Sequence, residues 1–220
     1  MDILNKIVNL LMPYVKDAVP LDKAEIRQFA QGNGLLLRED HLQFLMRFGR
    51  VNNERLDIFH RYGGDFDYDN LVDDIRDIYP NIDTPSGSTY FGTNFVGESF
   101  CIDYNTGKIY LYSANVRYGV VHESIDGFLL ECLLPAYNDQ AFFKLVSKKY
   151  LSKECLNEFR KTKEKNVLIE ATRYVLEGEC IDNKKIFAEH FLTDGRLVSL
   201  YPTVGSLITM SGGILDELKL

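Results

Sequence analysis

The sequence predicts an α+β fold: an antiparallel β-meander packed by helices, followed by a C-terminal helical and β-hairpin extension. Three observations carry this. Residues 98–103 and 108–113 alternate apolar and polar positions on either side of Asn105-Thr106-Gly107, which is turn chemistry with a glycine free to take positive φ. The first fifty residues repeat apolar side chains at helical spacing. Near the C-terminus, Asp194-Gly195 sits between two apolar runs, a strong hairpin signal.

Taken in order, Ile3, Ile7, Leu10, Leu11 and Tyr14 fall on one face of a first helix. Asp2 and Asn5 disfavour a signal peptide, and the run is too short to span a bilayer. It reads as a docking helix over residues 1–21. Pro20 breaks the chain, and Asp22 with Glu25 starts a second helix as a capping-box-like pair. Gly32 and Gly34 end it. A third helix runs from about Glu39 to Phe48, with Leu42, Leu45, Met46 and Phe48 as apolar contacts and Gly49 as its stop. A short strand is expected over 54–60 and a turn at Tyr62-Gly63-Gly64-Asp65. A short helix through Leu71, Ile75 and Ile78 ends at Pro80. Strands near 89–92, 98–103, 108–113 and 117–122 form the meander. Phe100 with Ile102, and Ile109 with Leu111, make its central hairpin half-buried. A helix from Ser124 to about Leu134 closes residues 22–134. Residues 135–220 are the extension: a Lys-rich helical region over 140–177, then strands Ile186–Leu192 and Leu197–Tyr201.

At 220 residues, 45% hydrophobic and 26% charged, the chain suits one soluble domain or a domain with a small lobe. Cys101, Cys132, Cys155 and Cys180 form no C-x-x-C pair, so a disulfide framework and a zinc site are both disfavoured and a reducing cytosol fits. The formal net charge is −7, and it is unevenly spread. Residues 51–83 hold nine Asp and Glu against Arg55, Arg61 and Arg76, while 144–165 hold eight Lys and Arg against three Glu. One basic stretch on an acidic body makes nucleic acid a minor reading and a basic protein partner the natural one. Asp65-x-Asp67-x-Asp69 opens like a calcium loop, but Asn70 and Arg76 stand where that loop needs Gly and Glu. His41, His60, His122 and His190 are dispersed, and His190 in strand alternation suits a satisfied, partly buried role. No G-x-S-x-G or phosphate loop is present. No cofactor and no catalytic residue is assigned.

The hairpin, with Asp103 two residues before its turn, resembles the centre of the SUKH superfamily, the Smi/Knr-type cell-wall-regulator-like domains. The resemblance covers roughly residues 22–134. Ile26, Phe29, Gly34, Leu37, Asp40, Phe44, Leu45 and Gly49 precede the hairpin in the family pattern, and Ser124, Phe128 and Leu129 follow it. Arg38 stands where the family usually has Pro, and Gly49-Arg50 replaces its Asn-Gly. The resemblance implies a non-enzymatic bacterial immunity protein that occludes the active surface of a cognate polymorphic toxin. A toxin acting on nucleic acid, with a basic cleft, is the expected partner. A regulatory scaffold of the same fold is the alternative. The expected partner contacts are Asp65, Asp67, Asp69, Asp73, Asp74 and Glu98, with Tyr68 and Tyr104 as aromatic anchors.

Overall fold

The computed structural model describes residues 3–51, 56–59, 63–77, 82–169, 173–174, 185–186 and 188–218. It is a mixed α/β protein whose paired strands are all antiparallel among the described residues. In chain order the elements are α1 (Ile3–Leu11), β1 (Ala18–Val19), α2 (Lys23–Gly32), α3 (Glu39–Arg47), β2 (Arg50–Val51) and α4 (Tyr68–Arg76). Four strands follow: β3 (Ser88–Thr93), β4 (Ser99–Asp103), β5 (Ile109–Ser113) and β6 (Val116–His122). Then come α5 (Ile125–Tyr137), β7 (Leu145–Tyr150), α6 (Lys153–Lys163), β8 (Val167–Ile169), β9 (Arg173–Tyr174), β10 (Lys185–Ile186), β11 (Glu189–Thr193), β12 (Arg196–Tyr201) and β13 (Ser206–Ser211). The described residues divide into two compact units, one spanning 15–125 and the other joining 3–14 to 126–218.

In the 15–125 unit, β3-β4-β5-β6 form a sheet in sequence order. The central hairpin pairs Phe100 with Leu111 and Ile102 with Ile109. These side chains point to one face, where Phe44, Phe48, Phe59, Phe66, Phe91 and Phe100 form a continuous aromatic core. The hairpin is not half-buried as the alternation predicts. Its second face is covered too, because Ile82 packs on Cys101 and Tyr112. In the turn, Gly107 has φ +74°, and its N–H donates to the Asp103 carbonyl at 2.9 Å. Asp103 holds the loop by accepting from the Thr106 N–H at 2.7 Å and its hydroxyl at 2.6 Å.

The helices of this unit follow their sequence signals with local differences. Asp22 caps α2 by accepting from Ala24 N–H at 2.7 Å. Glu25 does not complete the box, because its carboxylate accepts from Arg50 instead. On α3 the buried side chains are His41, Leu42, Phe44 and Leu45, so the apolar stripe includes the histidine. Arg38 adopts extended backbone before α3, the conformation proline would impose. Its guanidinium pairs with Asp40 and donates to the Tyr104 carbonyl at 2.6 Å, which ties α3 to the β4–β5 turn. The strand expected over 54–60 is replaced at Asp57–Phe59 by a 3-10 turn that buries Ile58 and Phe59. Residues 54, 55, 60 and 62 lie outside the described residues, as do Ile78 and Pro80 beyond α4.

The second unit holds a five-stranded sheet in the order β7-β13-β12-β11-β8. Asp194 and Gly195 both take positive φ at the β11–β12 turn, the type I′ geometry that suits a two-residue hairpin. One sheet face sets Phe191, Val198, Leu200 and Leu207 against Leu156 and Phe159 of α6. Residues 145–150, read from sequence as part of a helical region, are strand β7. Leu145, Ser147 and Lys149 alternate with Val146, Lys148 and Tyr150, and the strand pairs along its whole length with β13. Ala171, Val175 and Cys180 lie outside the described residues. The first helix buries Leu4, Ile7, Val8 and Leu11, so Ile7 and Leu11 of the expected Ile3–Ile7–Leu10–Leu11–Tyr14 stripe face inward while Leu4 and Val8 take the place of the others, and Tyr14 is 42% exposed. Asn5 donates to Asp126 at the start of α5 at 3.1 Å.

Candidate interaction surface

The topology of the four-stranded sheet sorts the expected contact residues. The β3–β4 turn and the β5–β6 turn lie at one end, and the β4–β5 turn lies at the other. Glu98 belongs to the first end and Tyr104 to the second. Six residues of extended chain at about 3.3 Å each separate them by about 20 Å, so a small contact patch does not hold both. Asp65 joins Glu98's end because its backbone pairs with Thr93 in both directions at 3.1 Å.

The α4 residues play different parts. Asp67 is the N-cap, accepting from the Asn70 N–H at 3.0 Å, and is buried. Burial raises its pKa, and that hydrogen bond only partly offsets the effect. Tyr68 is 4% exposed, with its ring edge-on to Phe29 at 5.7 Å, so it serves the core and offers little surface. Asp69 is exposed and lies 3.3 Å from Arg50, an arginine that also reaches Glu25. Exposed pairs of this kind contribute roughly 0–1 kcal/mol. Asp73 is exposed on the next turn of α4. Asp74 is half-buried, and burial, with the Asp77 carboxylate as a second cause, pushes its pKa up to about 6. The outward carboxylates are therefore Asp69 and Asp73 on α4, with Asp65 and Glu98 partly exposed beside the sheet end. Tyr104 is 43% exposed at the far end, and its backbone carbonyl accepts from Arg38.

The surroundings of two buried histidines escaped the sequence reading, although a satisfied role was expected for His190. His41 is fully buried on α3 beside Phe91, at a centroid distance of 5.4 Å, and neither ring nitrogen has a hydrogen-bond partner. Burial lowers its pKa to about 4, so it is neutral near pH 7. His190 in β11 is satisfied, but fully rather than partly buried. Its Nδ1 lies 2.9 Å from Ser199 Oγ on β12, and its Nε2 lies 2.8 Å from Glu131 Oε1 on α5. This Ser-His-Glu order has the connectivity of a nucleophile, base and orienting acid. All three side chains are at most 2% exposed, so no substrate reaches Ser199 in this conformation. The alternation around His190 was legible, whereas a glutamate 59 residues away gave no local signal.

Among the described residues, no cluster of three or more His, Cys, Asp or Glu could hold a metal ion. Asp65, Asp67 and Asp69 form no such group. No helix among them is long and apolar enough to cross a membrane. Comparison of the chain with protein-family models, with curated proteins and with solved structures returned no match.

Proposed function

We propose that the chain is a SUKH-type immunity protein that binds a cognate bacterial toxin and blocks its active surface, without chemistry of its own. The observation that carries this reading is the acidic surface formed by Asp65, Asp69, Asp73 and Glu98, where α4 and the sheet end expose carboxylates within one unit. A toxin that handles nucleic acid presents a basic cleft. Carboxylates on a folded scaffold speed encounter with such a cleft and occupy positions otherwise filled by phosphates. The turn held by Asp103 and Gly107 supports the family reading at residues that suggested it, whereas Arg38, which ties that turn to α3, stands where the family usually has Pro.

A non-catalytic scaffold of the same fold has one observation in its favour. Outer strand β7 exposes Leu145, Lys149 and Tyr150 at the sheet edge, giving the chain a second surface of opposite charge. Co-expression separates the two readings. The product of the gene directly upstream should arrest growth alone and be tolerated when this protein is present. Growth arrest that persists with the protein present at equal level would contradict the immunity reading.

A further inference from the structure

Two turns at one end of the four-stranded sheet expose apolar side chains. In the β3–β4 turn Phe95 is 76% exposed and Val96 60%. At the start of β6, just past the β5–β6 turn, Val116 is 57% exposed. The turns join strands 1–2 and 3–4 of the sheet, so they stand about two strand spacings, or about 10 Å, apart. Both are held by their own polar groups. Asn94 accepts from the N–H groups of Val96 and Glu98 through Oδ1, donates to the Glu98 carboxylate through Nδ2 at 2.7 Å, and bonds the Glu98 carbonyl through its backbone. Asn115, at positive φ, exchanges two hydrogen bonds with Asp83, at 2.7 and 3.1 Å. The polar atoms thus fix the two turns, while the apolar side chains stay in water.

A pre-ordered turn loses little entropy on binding, and an aromatic side chain set in a partner's pocket is the kind of residue that dominates interface energy. The surrounding charge is negative: Glu98, Asp65 and Asp83 lie at this end. Among the described residues, a cation at this end, Arg117, is drawn across the Tyr110 ring at 5.2 Å. We propose that this end of the sheet is the docking tip, with Phe95 and Val96 entering an apolar pocket on a protein whose pocket rim carries lysine or arginine, and Val116 resting on that rim. The proposal rests on the immunity reading and adds an anchor that the carboxylates alone do not provide.

The experiment is calorimetric titration of the upstream gene product with the wild type, Phe95→Ser/Val96→Ser, Phe95→Leu, Val116→Ser and Tyr104→Ser. The double variant should bind at least about 30-fold more weakly, in the range expected of an anchor. Val116→Ser should lose several-fold, Phe95→Leu should retain most of the affinity, and Tyr104→Ser at the opposite end should bind like the wild type. Melting temperatures should match throughout, because the altered side chains are solvent-exposed. A double variant that binds as tightly as the wild type overturns the docking tip and leaves the immunity reading standing. A wild type that does not bind overturns both. If the double variant fails to fold, the contrast between Phe95→Leu and Val116→Ser decides: equal, unchanged affinity in those two overturns the proposal.

Discussion

Replacing His41 with leucine tests the account of the 15–125 unit through its pH dependence. In the unfolded chain this imidazole takes up a proton near its ordinary pKa of 6.5, and in the fold only near 4, because burial beside Phe91 disfavours the cation. Between those values the unfolded chain holds more protons. The stabilising contribution is therefore fully present above about pH 6.5 and is lost as pH falls towards 4. Integrating the two titrations gives a loss of about 2 kcal/mol between pH 7.5 and pH 5.0. Asp74 works in the opposite sense, since its raised pKa favours the fold at lower pH. The quantity to compare is therefore the change with pH in each protein. Urea denaturation at pH 7.5 and 5.0 supplies it. The wild type should lose about 2 kcal/mol more than His41→Leu over this interval. At pH 7.5 the variant should be at least as stable, because leucine removes two unpaired ring nitrogens from the core. Parallel losses in the two proteins would show that His41 does not titrate as its burial requires.

Three further outcomes follow from named contacts. Gly107→Val should cost about 1–3 kcal/mol, because φ +74° disfavours a β-branched residue, and an unchanged melting temperature would refute the turn geometry. Glu131→Leu should cost about 1–3 kcal/mol by leaving the His190 Nε2 without its partner in the core. In denaturant titrations, Glu131→Leu/His190→Leu should recover part of that loss, and additive costs would refute the pairing. Asp67→Ala should cost about 1 kcal/mol through the lost cap, while Asp67→Asn keeps the acceptor and stays close to the wild type. Equal effects of these two substitutions would show that the carboxylate does not cap α4.

Local chemistry was legible in the sequence, and coverage was not. Asn105-Thr106-Gly107 and Asp194-Gly195 state their turns directly, since few residues accept positive φ. The four strands of the first sheet fall within a residue or two of their expected limits. Alternation in β4 could not show that Ile82 would cover the second face. The first helix declared an apolar side, but the face it buries is offset from the one expected. Strand β7 was misread because its lysines mimic a solvated helix, although its pairing with β13 depends on residues 206–211. At the candidate site, acidic composition located the segment. It did not separate Asp67, spent on a cap, and Tyr68, spent on the core, from outward Asp69 and Asp73. The exposed Phe95-Val96 turn gave no signal, because an apolar pair reads as strand interior until both neighbouring strands are placed.

The central claim is tested most directly by the association kinetics of the purified protein with the upstream gene product at two ionic strengths. The account predicts a stable complex whose association rate falls about tenfold or more as salt rises from about 20 to 200 mM. Dissociation should change far less, because exposed carboxylates act mainly on encounter. No complex at micromolar concentration, or association indifferent to salt, would contradict an acidic surface that recognises a basic toxin.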